Sequence, residues 1–141
     1  MAHEISHMWF GNMVTMQWWN NIWLNESFAD FFSYLCCSHL HKKIPYNDNE
    51  YYDEWLSFAE RKQWGYYEDS MEDTTHSIVS EIKNTSEANT VFDGISYSKG
   101  AAALHQLYCL IGEDIFFLAL QKYFTIYRWK CTTLESVLNT I

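Results

Sequence analysis

His3 and His7 stand four residues apart, with Glu4 between them. On an α-helix four residues make one turn plus about 40°, with a rise of roughly 6 Å, so both imidazoles leave one face. Two nitrogens so placed can reach one Zn²⁺ at about 2.0–2.1 Å. Glu4, about 100° round the helix, then sits beside the metal instead of on it. A catalytic zinc takes three protein ligands and keeps a fourth position for water. The third ligand expected here is Glu26, nineteen positions after His7 on the next apolar-periodic segment. There Phe28, Phe31, Phe32 and Leu35 form one stripe, and Glu26, Asp30 and Ser33 the opposite one. An acid facing away from an apolar stripe is ordinarily just solvated; opposite a His-Glu-x-x-His helix it becomes a ligand candidate. The plain alternative for those five residues alone is a surface helix with two histidines.

The first helix is expected to run from the start to about Phe10 and to stop at Gly11-Asn12. Residues 13–23 are apolar and rich in Trp, a connection packed under the site with Trp18 and Trp19 in the core. Asn25 is the expected cap of a second helix continuing to about Leu40. No ligand spacing ties His39 and His41 to the first pair, so they are expected as solvated surface residues. Lys42 to Pro45 breaks the pattern. Tyr51, Trp55, Phe58 and Lys62 resume it behind a cap at Asp48, and a polar stretch from Glu68 to Asn89 follows. Ser96 is positioned to cap a helix through Ala101, Leu104, Leu107, Tyr108 and Ile111 that stops at Gly112. A further helix carries Phe116, Phe117, Leu120 and Phe124. Thr132-Thr133-Leu134-Glu135 has the spacing of a capping box that opens a last one. The chain is expected to be mainly α.

The chain has 141 residues, enough for one domain or part of one, and 48% of them are hydrophobic, enough for a packed core. Its net charge of −9 argues against a nucleic-acid partner and suits attraction of a cationic peptide N-terminus. The longest apolar run, Ile115 to Leu120, is far too short for a transmembrane segment. Cys36, Cys37, Cys109 and Cys131 have no Cys-x-x-Cys spacing and are expected as buried free thiols in a reducing compartment. Asn25-Glu26-Ser27 is formally a glycosylation sequon, and a glycan beside the ligand would be damaging; both points favour a cytoplasmic location. A ligand at the third residue would lie on a fraying helix end, and the last residues stop inside a helical pattern. The chain is therefore expected to be an internal piece of a larger enzyme.

The pattern His3-Glu4-x-x-His7, eighteen residues, Glu26 resembles that of the gluzincin zinc aminopeptidases of alanyl, glutamyl and puromycin-sensitive type. So do Trp9-Phe10-Gly11-Asn12, Val14-Thr15, Trp18-Trp19 and Trp23-Leu24-Asn25 around it. Phe92-Asp93-Gly94-Ile95-Ser96-Tyr97-Ser98-Lys99-Gly100-Ala101 is similar to the family's second signature. The resemblance implies the helical part of a thermolysin-like zinc peptidase catalytic domain, with the family's β-rich lobe absent from this chain. Residues 1–141 would be a single fragment, with the zinc-site helices in 1–40 and the helix of a transition-state tyrosine in about 96–112.

It further implies one Zn²⁺ on His3, His7 and Glu26. Glu4 would be general base and then acid, and Tyr97 the donor that meets the oxyanion. Asn25-Glu26-x-x-x-Asp30 resembles the zincin arrangement in which such an Asp supports a zinc histidine. Substrates would be peptides with a free N-terminus, recognised by acids outside this chain. A relative with epoxide hydrolase activity usually has Thr in place of Phe10, so Phe10 and Trp18-Trp19 favour the peptidase branch. Asp69 and His76 fall where the family usually has Asp and His-Pro, but Ser77 replaces the Pro and no catalytic role is expected of His76. The alternative is an inert truncated or degenerate relative serving as a helical interaction module. The intact His3, Glu4, His7, Glu26 and Tyr97 argue against it.

Overall fold

The computed structural model describes residues 1–43 and 53–141, which are mainly helical. Helix α1, Ala2–Ser6, is shorter than expected. Beyond it the chain continues in looser turns, with the Trp9 and Phe10 amides both directed at the Ser6 carbonyl, until Gly11 takes φ +129°. Strand β1, Val14–Met16, leads to a 3₁₀ turn at Trp19–Asn21 and the long central helix α2, Trp23–Lys43. Asn25 is not its cap. The 3₁₀ turn already supplies the Ile22 carbonyl that accepts from the Asn25 and Glu26 amides, so Asn25 lies inside the helix.

Helix α3, Glu54–Ser70, is capped by Asp53, whose carboxylate accepts from the Trp55 amide at 2.9 Å. The expected cap at Asp48, with Pro45 and Tyr51, lies outside the described residues. Irregular chain and the short α4, Thr85–Ala88, follow. The next helix does not start from Ser96. A π-helical turn at Ile95–Lys99 runs directly into α5, Gly100–Ile111. Asp93 does the capping, its Oδ1 accepting from the Ile95 and Ser96 amides at 3.0 Å each, while Ser96 is buried. Gly112, at φ +84°, ends α5 and turns the chain into α6, Glu113–Tyr127. Strand β2, Lys130–Thr132, pairs parallel to β1 with Val14 opposite Lys130. The capping box of α7, Leu134–Leu138, is formed by Thr133 and Ser136, one residue later than the spacing suggested.

Phe28, Phe31 and Leu35 of α2 form the core with Phe10, Phe58, Leu104, Phe116 and Leu120. The two tryptophans expected there are elsewhere. Trp18 is 44% exposed, with its indole N–H donating to the Ile82 carbonyl at 2.6 Å, and Trp19 packs on a small second cluster of Ile22, Ile82, Ala88 and Val91. All four cysteines are free, but Cys36, Cys109 and Cys131 are exposed and Cys37 half-buried, because they fall on outward faces. His39 and His41 are half-buried and paired, with Glu113 at 3.6 Å and with Glu54 respectively. Among the described residues no single helix is long and apolar enough to cross a membrane.

Helix α3 presses on the π turn without room for a side chain at Gly65. A Cβ there would lie 2.6 Å from the Gly94 carbonyl oxygen and 2.7 Å from the Lys99 amide nitrogen. Helix propensity alone would favour Gly65→Ala by about 1 kcal/mol, whereas overpacking against backbone costs roughly 1–3 kcal/mol. The contact is expected to win, so Gly65→Ala should lower the unfolding midpoint. A variant as stable as the parent in urea titration would contradict the close approach.

Candidate active site

Helix α1 lies across the acid-bearing face of α2, and this brings three donor atoms together. His3 Nε2 and His7 Nε2 are 3.1 Å apart; Glu26 Oε2 is 3.3 Å from the first and 3.4 Å from the second. A tetrahedral site with bonds of about 2.0–2.1 Å has edges of about 3.3–3.4 Å, so this triangle is close to one face of such a site. Two imidazoles and a carboxylate are also the donor set that zinc accepts. Among the described residues it is the one group of His, Cys, Asp and Glu close enough to share an ion.

The orientation of each imidazole has a cause. His7 Nδ1 is 2.9 Å from the Phe10 carbonyl, an acceptor, so the proton belongs on Nδ1 and the Nε2 lone pair faces the centre. That carbonyl is fixed because the Phe10 side chain is sunk in the core, stacked 4.5 Å from Phe28. His3 Nδ1 faces Asp30 Oδ1 at 3.6 Å, and Asp30 Oδ2 in turn lies 3.5 Å from Arg61 Nε.

Electrostatics follow from burial. Glu26 and Asp30 are only 8% and 5% exposed. Burial alone would raise the Glu26 carboxyl, but hydrogen bonds from His3 and His7 outweigh it and hold it down to about 2. His3 is pushed up to about 9, first by its hydrogen bond with Asp30 and then by Glu26. His7 is also raised, by Glu26. The hollow favours positive charge.

Tyr97 enters from the π turn. Its ring stacks on His3 at 5.8 Å and lies 6.2 Å from Trp64. Burial first, and then the nearby Glu26 charge, push its hydroxyl well above the ordinary phenol range, so it stays protonated and able to donate. The buried Ser27 hydroxyl, next to Glu26, donates at 2.6 Å to the carbonyl of Ser96, next to Tyr97. Glu4 is exposed and lines a cleft of about 570 Å³ with His3, Asp30, Arg61 and Tyr97.

The structure thus gathers His3, His7, Glu26, Asp30, Tyr97 and Glu4 around one hollow. Asp69 and His76 lie apart from it: Asp69 pairs with Lys99 at 2.7 Å, and His76 Nε2 lies 2.6 Å from Asp93. Sequence reasoning missed Arg61 and Trp64. Their spacing of three on α3, with Glu68 four residues on, was the available signal.

Comparison with known proteins gives a consistent picture. Residues 1–141 match the model described as "Peptidase family M1 domain". Aminopeptidase N of Streptomyces lividans is 38% identical over 142 residues, covering 100% of this chain and 16% of that protein. Glutamyl aminopeptidase of Bos taurus is 39% identical over 130 residues, covering 92% of this chain and 13% of that one. The structure of yeast LTA4 hydrolase in complex with bestatin superposes with TM-score 0.80, at 24% identity, over 98% of this chain and 21% of that chain. At that identity the likeness is one of fold, here the helical part of a catalytic domain. The chain spans less than a fifth of the length of these two curated relatives.

Proposed function

This chain belongs to peptidase family M1, and on that footing we propose that it carries the catalytic centre of a zinc-dependent aminopeptidase. The observation that carries the reading is the triangle of His3, His7 and Glu26 donor atoms with edges of 3.1–3.4 Å. These residues would hold one Zn²⁺. When bound, zinc supplies Lewis acidity that polarises the scissile carbonyl and makes water acidic enough to be deprotonated near neutral pH.

The remaining work falls to the chain's own groups. Glu4 takes a proton from water and returns it to the departing amine, as base and then acid. Its position on the cleft wall beside His3 and Tyr97 is suited to that transfer. Tyr97 donates its hydroxyl proton in a hydrogen bond to the oxygen on which negative charge develops. Asp30, itself faced by Arg61, holds the His3 ring so that Nε2 points at the centre. The substrates are peptides with a free N-terminus. The relatives named as aminopeptidases support this, as does the excess of carboxylates in the hollow. The four free thiols, three of them exposed, suit a reducing, cytoplasmic setting.

Two substitutions separate the roles in the protein at its natural length. Glu4→Gln keeps the shape but cannot take the proton; zinc content should be unchanged while kcat on aminoacyl-arylamides falls at least ~10²-fold. Near-normal turnover with zinc bound would remove Glu4 from the mechanism. Tyr97→Phe should lower kcat by roughly 10²–10³ with little change in KM, since an oxyanion donor acts on the transition state. A packing tyrosine predicts a kcat within a few-fold of the parent.

A further inference from the structure

Tyr97 sits in a π-helical turn, one residue wider than an α turn, and such turns persist only where their surroundings hold them. Asp93 caps the turn from its own segment, and Ser27 holds the Ser96 carbonyl from α2. Two further holds come from α3: Asp69 pairs with Lys99 at the end of the turn at 2.7 Å, and Glu68 reaches its lead-in. Glu68 uses both carboxylate oxygens: Oε1 accepts from the Trp64 indole N–H at 2.6 Å, and Oε2 accepts from the backbone N–H of Gly94. Trp64 is in turn covered by the Arg61 guanidinium, 4.4 Å above its ring, and Arg61 reaches Asp30, which faces His3.

We propose that Glu68 is a positioning residue for the reaction: it fixes the lead-in to the π turn and thereby the place of the Tyr97 hydroxyl relative to His3 and Glu26. The proposal rests on the reading of Tyr97 as oxyanion donor. The position is well chosen for this task. Hydrogen bonds to a carboxylate are about twice as strong as neutral ones, and Gly94 is three residues before Tyr97, where Gly65 of α3 meets the chain too closely for a Cβ. Glu68 itself stands outside the hollow and is absent from the cleft lining. Its removal should therefore leave metal and substrate binding alone and affect only the step that needs the hydroxyl in place. A misplacement of about 1 Å can cost about 10²-fold, and loss of one of four holds is a smaller disturbance.

The test is a double-mutant cycle in the protein at its natural length, read by kcat, KM and zinc content. Glu68→Gln presents an amide and cannot accept from both donors in the same way. It should lower kcat about tenfold with KM and zinc within twofold of the parent. In a Tyr97→Phe background the same change should alter kcat less than twofold, because there is no longer a hydroxyl to place. Trp64→Phe, which keeps a ring beside Tyr97 and removes the indole donor, should give a several-fold loss with the same dependence on Tyr97. It serves as the test should Glu68→Gln not fold. Unchanged kcat in both variants while Tyr97→Phe is impaired would overturn the proposal and leave the Tyr97 reading standing. An equal loss with and without the Tyr97 hydroxyl would also overturn it. A Tyr97→Phe enzyme with parental kcat would overturn both, and the single variant alone identifies that case.

Discussion

Two carboxylates buried on one face of a helix govern this structure. Glu26 and Asp30 are one turn apart on α2, both under a tenth exposed, while the opposite face of the same helix is packed with Phe28, Phe31 and Leu35. A buried carboxylate without partners is costly by several kcal/mol, so each needs donors brought to it. His3 of α1 and His7, which caps its C-terminus, serve Glu26; His3 and Arg61 serve Asp30. The apolar stripe decides how α2 is seated, and the acid face then decides what must lie on top of it. The grouping of chemically able residues thus follows from the solvation of two buried acids. It also leaves a hollow whose own charge favours a cation, which accords with the proposed metal.

The second constraint concerns Tyr97, which comes from a distant segment yet is set beside His3 and Glu26. Contacts made directly onto the backbone of its segment solve this. Ser27 and Ser96, the immediate neighbours of Glu26 and Tyr97, are joined by a buried hydrogen bond. Gly65 lets α3 touch the backbone of the π turn. Each such contact leaves little slack, because at most a short side chain stands between the elements.

Much of the hollow was legible in the sequence because it is built from helical periodicity. The His3 and His7 spacing names a face, and the stripe on α2 shows that Glu26 and Asp30 share the other one. What periodicity could not give is the exact start of each helix. Asn25, Ser96 and Thr132 are all sound caps by residue type, but the positions went to Ile22's carbonyl, Asp93 and Thr133, whose oxygens reached the amides first. The π turn has no signature of its own, since it is set by what presses on it. Size alone places Trp18 and Trp19 in the core, whereas the polar indole N–H of Trp18 is held at a loop carbonyl and keeps its ring at the surface. The polar residues of α3 were overlooked for the opposite reason: Trp55 and Phe58 mark its buried face, and Arg61, Trp64 and Glu68 then look like solvated surface.

The claim on which the rest depends is that His3, His7 and Glu26 hold the metal. X-ray absorption at the zinc edge, on protein loaded with one equivalent, tests it most directly when paired with His3→Ala. Two imidazole nitrogens and oxygen at about 2.0–2.1 Å are expected in the parent, with loss of stoichiometric zinc in a folded His3→Ala variant. A sulfur scatterer at about 2.3 Å, from the exposed Cys36, Cys109 or Cys131, or full zinc retention by His3→Ala, would contradict it.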